Sequence, residues 1–206
     1  EIRAKAAAAG RDPKKVLIYA MATIITDETD EKARRKFEEY QTYASYDGAL
    51  VLMSGWTGID FGRYAPTDTV KKVDTNAIIS AVEHLSSGEK TWTIEELAKW
   101  GGIGGMGPLF VGSAATVADQ LQEWIEETDV DGFNLAYALA HETFADVIGH
   151  VVPELQRRGV YPTAYRKGTL REKLFGDGPL LPETHPAARY RDIQAVKRAE
   201  AEARTR

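Results

Sequence analysis

Leu109-Phe110-Val111-Gly112-Ser113-Ala114-Ala115-Thr116-Val117-Ala118-Asp119, followed by Gly132-Phe133-Asn134-Leu135-Ala136-Tyr137-Ala138-Leu139, is the stretch on which the fold turns. Leu109 to Gly112 is a short apolar run that reads as a strand. Ser113 is a helix N-cap, with Val117, Leu121, Trp124 and Ile125 at helical spacing behind it. Thr128 to Asp131 makes a loop, and Gly132 to Leu139 reads as a second strand. Thr143 is placed to cap a further helix carrying Phe144, Val147, Ile148, Val151, Val152 and Leu155 on one stripe. Gly159 closes it, and Pro153 is placed to bend it. Strand, helix, strand, helix with short connections marks βαβ units and a parallel sheet.

Working upstream, Val16 to Thr26 is a nearly continuous apolar, β-branched run, suited to a strand buried on both faces. Asp27 begins an acidic helix start, with Ala33, Phe37, Tyr40 and Ala44 at helical spacing. Glu1 to Gly10 reads as the last turns of a helix already under way, stopped by Gly10, as if an amino-terminal portion were missing. Between the first and second strands, Asp47 to Met53 suits a short helix, and Ser54 to Asp60 a glycine-punctuated loop around Trp56. Asp74 or Thr75 is placed to cap a helix carrying Ile78, Ile79, Val82 and Leu85. Thr93 and Glu96 form a capping-box pattern, and the glycines from Gly101 to Gly107 stop the helix that follows. Beyond Val160 the pattern fades into an extended tail, ending in an exposed helix or a disordered end over 189–206.

The chain has 206 residues, 43% of them hydrophobic, which supplies a core. Its formal net charge of -5 repels phosphate backbones and anionic lipid, so neither nucleic acid nor a membrane is an expected partner. The absence of cysteine excludes disulfides, thiolate metal sites and cysteine nucleophiles, and fits a cytoplasmic protein. Three βα units cannot complete a closed parallel barrel, which takes roughly 250 residues. Exposed sheet edges and an open apolar face are costly, so further strands are expected from elsewhere.

Four stretches resemble one family. They are Ala49-Leu50-Val51-Leu52-Met53-Ser54-Gly55-Trp56-Thr57-Gly58-Ile59-Asp60, Val111 to Asp119, Asp129 to Leu135, and Gly168-Thr169-Leu170-Arg171-Glu172-Lys173-Leu174. Together they are similar to the nitrilotriacetate, dibenzothiophene-sulfone and long-chain alkane monooxygenase group of bacterial-luciferase-like flavin enzymes. The resemblance implies an α/β fold, the carboxyl-terminal part of a TIM (β/α)8 barrel, with an insertion over 45–107 and an extended tail. Residues 1–160 would then be barrel units and 161–206 the tail. It implies a two-component monooxygenase. A separate flavin reductase supplies reduced FMN, and one oxygen atom of O2 enters a small organic substrate. The family's main flavin contacts lie in the half that this chain lacks, so the chain alone is expected to be inactive. A homodimer or homotetramer is expected once that half is joined. A non-catalytic half-barrel or a flavin-binding module that oligomerises are the alternatives.

The candidate site residues follow from position. His141 lies just after the last strand, where barrel enzymes collect catalytic groups, although it also suits an ordinary helix entrance. Asn134 is a polar residue on that strand. Trp56, Asp60 and Trp92 are candidates to line a substrate pocket, with insertion packing as the structural alternative. Met106 sits in the glycine-rich stretch expected to act as a mobile flap. That stretch matches G-x-G-x-x-G but follows a helix and precedes a strand, which is the wrong context for a dinucleotide site. Gly112 and Ser113 are candidates to offer backbone N–H groups to a cofactor anion, with capping alone as the alternative for Ser113. His84, His150 and His185 show no metal-ligand spacing, and no metal is expected.

Overall fold

The computed structural model describes residues 1–69, 91–104, 107–183, 185–192 and 202. The expected helix around Ile78 to Leu85, His84, Met106 and most of 189–206 lie outside the described residues. The chain divides into two compact units, Val16–Tyr161 and the paired segments Glu1–Lys15 and Pro162–Arg206.

In the larger unit, the β-branched run forms β1 (Tyr19–Asp27), whose residues from Ala22 to Thr26 are all buried. Helix α2 (Asp30–Tyr43) follows, capped by Thr29 rather than by Asp27. Helix α3 (Tyr46–Thr57) extends four residues past Met53 and stops at Gly58, which takes the left-handed conformation. The expected loop around Trp56 is therefore mostly helix. Gly55 is accommodated inside it, with open space where a side chain would be. Helix α4 (Ile94–Gly101) has the full Thr93/Glu96 capping box. Then come β2 (Leu109–Ser113), α5 (Ala114–Thr128) and β3 (Gly132–Ala136). Helix α6 (Ala140–Asp146) passes through a π-helical turn, Val147–Val151, into α7 (Val152–Arg157). Pro153 has no N–H to continue an α ladder, and the widened turn falls directly before it.

All strand pairs are parallel, as the βαβ pattern requires. The order is β2-β1-β3. An uninterrupted barrel arc would place consecutive strands side by side as β1-β2-β3. Here β1 offers both its edges. Its carboxyl half, Thr23 to Asp27, pairs with β2, and its amino half, Tyr19 to Thr23, pairs with β3.

Two apolar clusters hold this unit together. Ala22 and Ile24 of β1 and Phe110 of β2 pack with Val117 and Leu121 of α5 and with Val147 and Val151. The second cluster joins Leu50 and Met53 of α3 to Ile94 and Leu97 of α4, closed by Ile59 and Phe61. In the smaller unit, α1 (Ile2–Ala8) ends before Gly10, as read from the sequence. The tail is not wholly extended, because Thr169 and Glu172 build a capping box for a short helix, α8 (Leu170–Phe175).

Candidate functional site

A crevice of the Val16–Tyr161 unit lies where the pairing of β1 with β3 stops. Beyond Thr23, the β3-side edge of β1 has no partner strand among the described residues, and the chain leaving Ala136 turns away through Tyr137, Ala138 and Leu139. That turn is gripped from inside, since the Ala138 and Leu139 N–H groups each donate to Thr143 Oγ1 at 3.2 Å. Thr143 is therefore buried within the first turn of α6 instead of capping it, and α6 begins at Ala140 with no side-chain cap. The crevice encloses about 730 Å³, the size range of small-molecule sites, at the carboxyl ends of parallel strands.

One face of α2 forms its floor. Lys32, Arg35, Lys36, Glu39, Tyr40 and Tyr43 recur at three- and four-residue spacing and all line it. The opposite wall is the Tyr137–Leu139 turn, and Gly102, Ile103 and Gly104 close a side. The glycine-rich stretch is not free at either described end. Thr23 Oγ1 donates to the Gly104 carbonyl at 3.1 Å, and the Thr23 N–H donates to the Pro108 carbonyl at 2.9 Å. Gly104 has φ 77, and a Cβ there would lie 2.3 Å from Thr23 Oγ1, so a side chain is excluded twice over. Both described ends of the stretch are thus tied to β1.

Lys36 is the electrostatic centre. Its Nζ donates to Asp146 Oδ2 at 2.8 Å and to the Thr26 carbonyl at 3.2 Å. It also lies 3.5 Å from Asp27 Oδ2 and 3.6 Å from Glu142 Oε1. Burial opposes its charge, but the Asp146 hydrogen bond and the surrounding carboxylates outweigh it and raise its pKa. The Asp27 carboxyl is held below the usual range, first by the Glu28 N–H that donates to it at 2.7 Å and also by Lys36. Beside this cluster, the Tyr40 hydroxyl is buried next to the Glu142 carboxylate. Burial first, and the Glu142 carboxylate second, push its pKa up to about 12.

None of the described sequence-predicted site residues lines this crevice. Trp56, in the last turn of α3, packs against the α3/α4 core, as do Trp92 and Trp100. Trp92 and Trp100 form a tilted pair with ring centres 5.2 Å apart. Asp60 serves a local turn, accepting from the Gly62 N–H at 3.2 Å and pairing with Arg63 at 2.8 Å. Asn134 stands exposed on β3 next to Met21 of β1, and His141 is exposed in the first turn of α6. The Ser113 N–H is already given to Asp30 Oδ1 at 2.6 Å, while Ser113 Oγ caps α5 at the Thr116 N–H. A carboxylate from α2 thus fills the place proposed for a cofactor anion. The crevice residues were visible as a helical stripe from Lys32 to Tyr43, but charged residues at that spacing also describe an ordinary solvated face.

The sequence profile of luciferase-like monooxygenases matches residues 1–132, more than half of the chain. The chain belongs to the luciferase-like monooxygenase family. Dimethyl-sulfide monooxygenase of Hyphomicrobium sulfonivorans is 42% identical to it over 206 residues, covering 98% of this chain and 43% of that protein. Long-chain alkane monooxygenase of Geobacillus thermodenitrificans is 37% identical, over 95% of this chain and 41% of its own length. Nitrilotriacetate and dibenzothiophene-sulfone monooxygenases match as well, as the motifs implied. Among solved structures, a riboflavin lyase crystallised with modified FMN and riboflavin superposes with a TM-score of 0.80 at 32% identity, over 92% of this chain and 42% of that one. This luciferase-like monooxygenase chain therefore spans about two fifths of the length of the relatives it matches.

The described residues of the chain do not by themselves fit an FMN. The amino terminus of α5 is taken by Asp30. Of the crevice's cations, Lys36 is tied to carboxylates and Lys32 is paired with Glu28, while Arg35 stands exposed on the α2 face beside Glu39. Among the described residues no helix is long and apolar enough to cross a membrane.

Proposed function

We propose that this chain is the carboxyl-terminal portion of a two-component monooxygenase that uses reduced FMN and O2 to place one oxygen atom in a small organic substrate. The observation that carries the reading is the alignment with dimethyl-sulfide monooxygenase across nearly the whole chain. The crevice at the carboxyl ends of β1 and β3 supports it, because substrates of α/β enzymes enter at that end of a parallel sheet. The parallel sheet also supports an arc of a TIM barrel completed by the rest of the polypeptide. In this reading the remaining part binds the flavin, and a separate reductase supplies it reduced. The 206-residue portion contributes a wall that positions the substrate and excludes water. A cytoplasmic homodimer or homotetramer is the expected assembly.

The test uses the complete polypeptide with FMN, a flavin reductase, NADH and labelled O2, offered dimethyl sulfide and a long-chain alkane in turn. One labelled oxygen atom in a product, dependent on the reductase, is expected. Peroxide release without any oxygenated product from either substrate would count against the reading. So would tight FMN binding by the 206-residue chain alone, read as quenching of flavin fluorescence at micromolar protein.

A further inference from the structure

One wall of the crevice is not held by the apolar core. Neither apolar cluster takes a residue from α2 or from α6. The core grips the chain only past the end of α6, where Val147 and Val151 of the π-helical turn enter it. Such a turn interrupts the α ladder and is a place where helices bend. The Tyr137–Leu139 turn belongs mechanically to α6. Thr143 Oγ1 accepts from the Ala138 and Leu139 N–H groups, and the Tyr137 ring meets the Phe144 ring with centres 6.0 Å apart. What joins this piece to the crevice floor is polar. Glu142 and Asp146 stand one helical turn apart on α6, facing Lys36 and Tyr40, one turn apart on α2. Lys36 Nζ donates to Asp146 Oδ2 at 2.8 Å and lies 3.6 Å from Glu142 Oε1, and the Tyr40 hydroxyl is buried beside the Glu142 carboxylate. Lys36 is in turn bound to β1 through the Thr26 carbonyl, with Asp27 on that same side at 3.5 Å. Charge-assisted contacts of this kind hold firmly while made, and water solvates both sides once they part.

We propose that the crevice has a latched wall: α6 and the Tyr137–Leu139 turn move together between hinges at Ala136 and the Val147–Val151 turn, and Lys36 with Tyr40 holds them shut against Glu142 and Asp146. Release swings the wall from the α2 face and widens the entrance to the space of about 730 Å³ at the strand ends. Lys36 acts here as a positioning residue for the wall. The inference stands independently of the monooxygenase reading.

The chain has no cysteine, so nitroxide labels go only where a cysteine is introduced. Gln41→Cys on α2 with His141→Cys on α6, both exposed positions, reads the latch by double electron–electron resonance. Gln41→Cys with Glu126→Cys, exposed on α5, reads the frame. With the latch intact, the distance between positions 41 and 141 should be single and narrow. Lys36→Met should add a second population, longer by about 5 Å or more, and Glu142→Gln with Asp146→Asn should add the same one. Lys36→Arg, which keeps the charge, should return most molecules to the short distance. Asp27→Asn should leave the distribution narrow, because Asp27 lies on the β1 side of the latch. The distance between positions 41 and 126 should stay single throughout. A broad distribution with the latch intact, no change on Lys36→Met, broadening of both label pairs together as general destabilisation gives, or an Asp27→Asn effect equal to that of the α6 pair overturns the proposal.

Discussion

Replacing Lys36 by Met removes one charge from the middle of the crevice floor while keeping most of the packed stem. Its side chain is 16% exposed, and its partners Asp146, Asp27 and Glu142 are 21%, 25% and 46% exposed. A fully buried pair broken on one side costs about 3–5 kcal/mol. An exposed pair is worth about 0.2–1 kcal/mol. This half-buried cluster falls between, and we expect Lys36→Met to cost about 2 kcal/mol at pH 7, weighted toward Asp146. For a chain of this length that is about 4–8 °C in Tm. The pH dependence has a fixed sign. The pKa of Lys36 is raised in the folded chain, so its contribution is complete at neutral pH and is lost only as pH rises through that folded value. The pKa of Asp27 is lowered, so its contribution is present above the ordinary carboxylate value, about 3.9, and is lost as pH falls through its folded value. The gap between wild type and variant should therefore be flat from about pH 5 to 9 and narrow below about pH 4, as the carboxylates take up protons. Thermal unfolding followed by circular dichroism at pH 7 and pH 3.5 measures both. Equal Tm values at pH 7, or a gap that widens in acid, would refute the reasoning.

Gly104→Ala should lower stability by about 2 kcal/mol or more, because both the positive φ and the 2.3 Å approach to Thr23 resist a Cβ; denaturant unfolding reads it. Trp56→Ala should cost about 3 kcal/mol through lost packing on the α3/α4 core, with the substrate KM of the complete enzyme unchanged; a KM change with normal Tm would return Trp56 to the pocket. Ser113→Ala should cost about 1 kcal/mol as a lost N-cap, and added phosphate should not raise the Tm of the wild-type chain; a phosphate-dependent rise would show that Asp30 yields the helix terminus to an anion.

Local structure was legible wherever a residue type has one strong mechanical use. Thr93 with Glu96, Ser113 before α5, and Gly10 and Gly159 at helix ends all act as the sequence suggests. The buried, β-branched middle of β1 likewise identified itself. Glycine misled where it tolerates more than one state. Gly55 sits inside α3 with nothing around it, so Ser54 to Thr57 read as loop although they are helical. Thr169 and Glu172 carry a capping box whose helix is too short for a periodic signal. Strand order was not legible, since periodicity marks which residues form strands and says nothing about which edge each one takes. The site suffered from the same gap. His141 and Asn134 were chosen by segment, and the residues that face the crevice are their neighbours Tyr137, Leu139 and Glu142.

The order β2-β1-β3 and the position of the crevice are one fact seen twice. Each neighbour pairs with five residues of β1, and Thr23 is the single residue shared by both registers. Past Thr23 the β3-side edge of β1 is open among the described residues, and an open edge in an α/β sheet must be covered, paired or put to use. Here α2 and the Tyr137–Leu139 turn stand on either side of it without closing it, leaving Asp27 and Lys36 at the bottom. The relatives that it matches carry more than half of their own length outside the matched part. If the rest of a barrel does so, β3 must exchange β1 for β2, its sequential neighbour. The α2 face moves with β1, because Lys36 is hydrogen-bonded to the Thr26 carbonyl of that strand. The α2 face would then keep its place beside the strand end whichever partner fills the edge, and the Tyr137–Leu139 wall is the part that assembly can change.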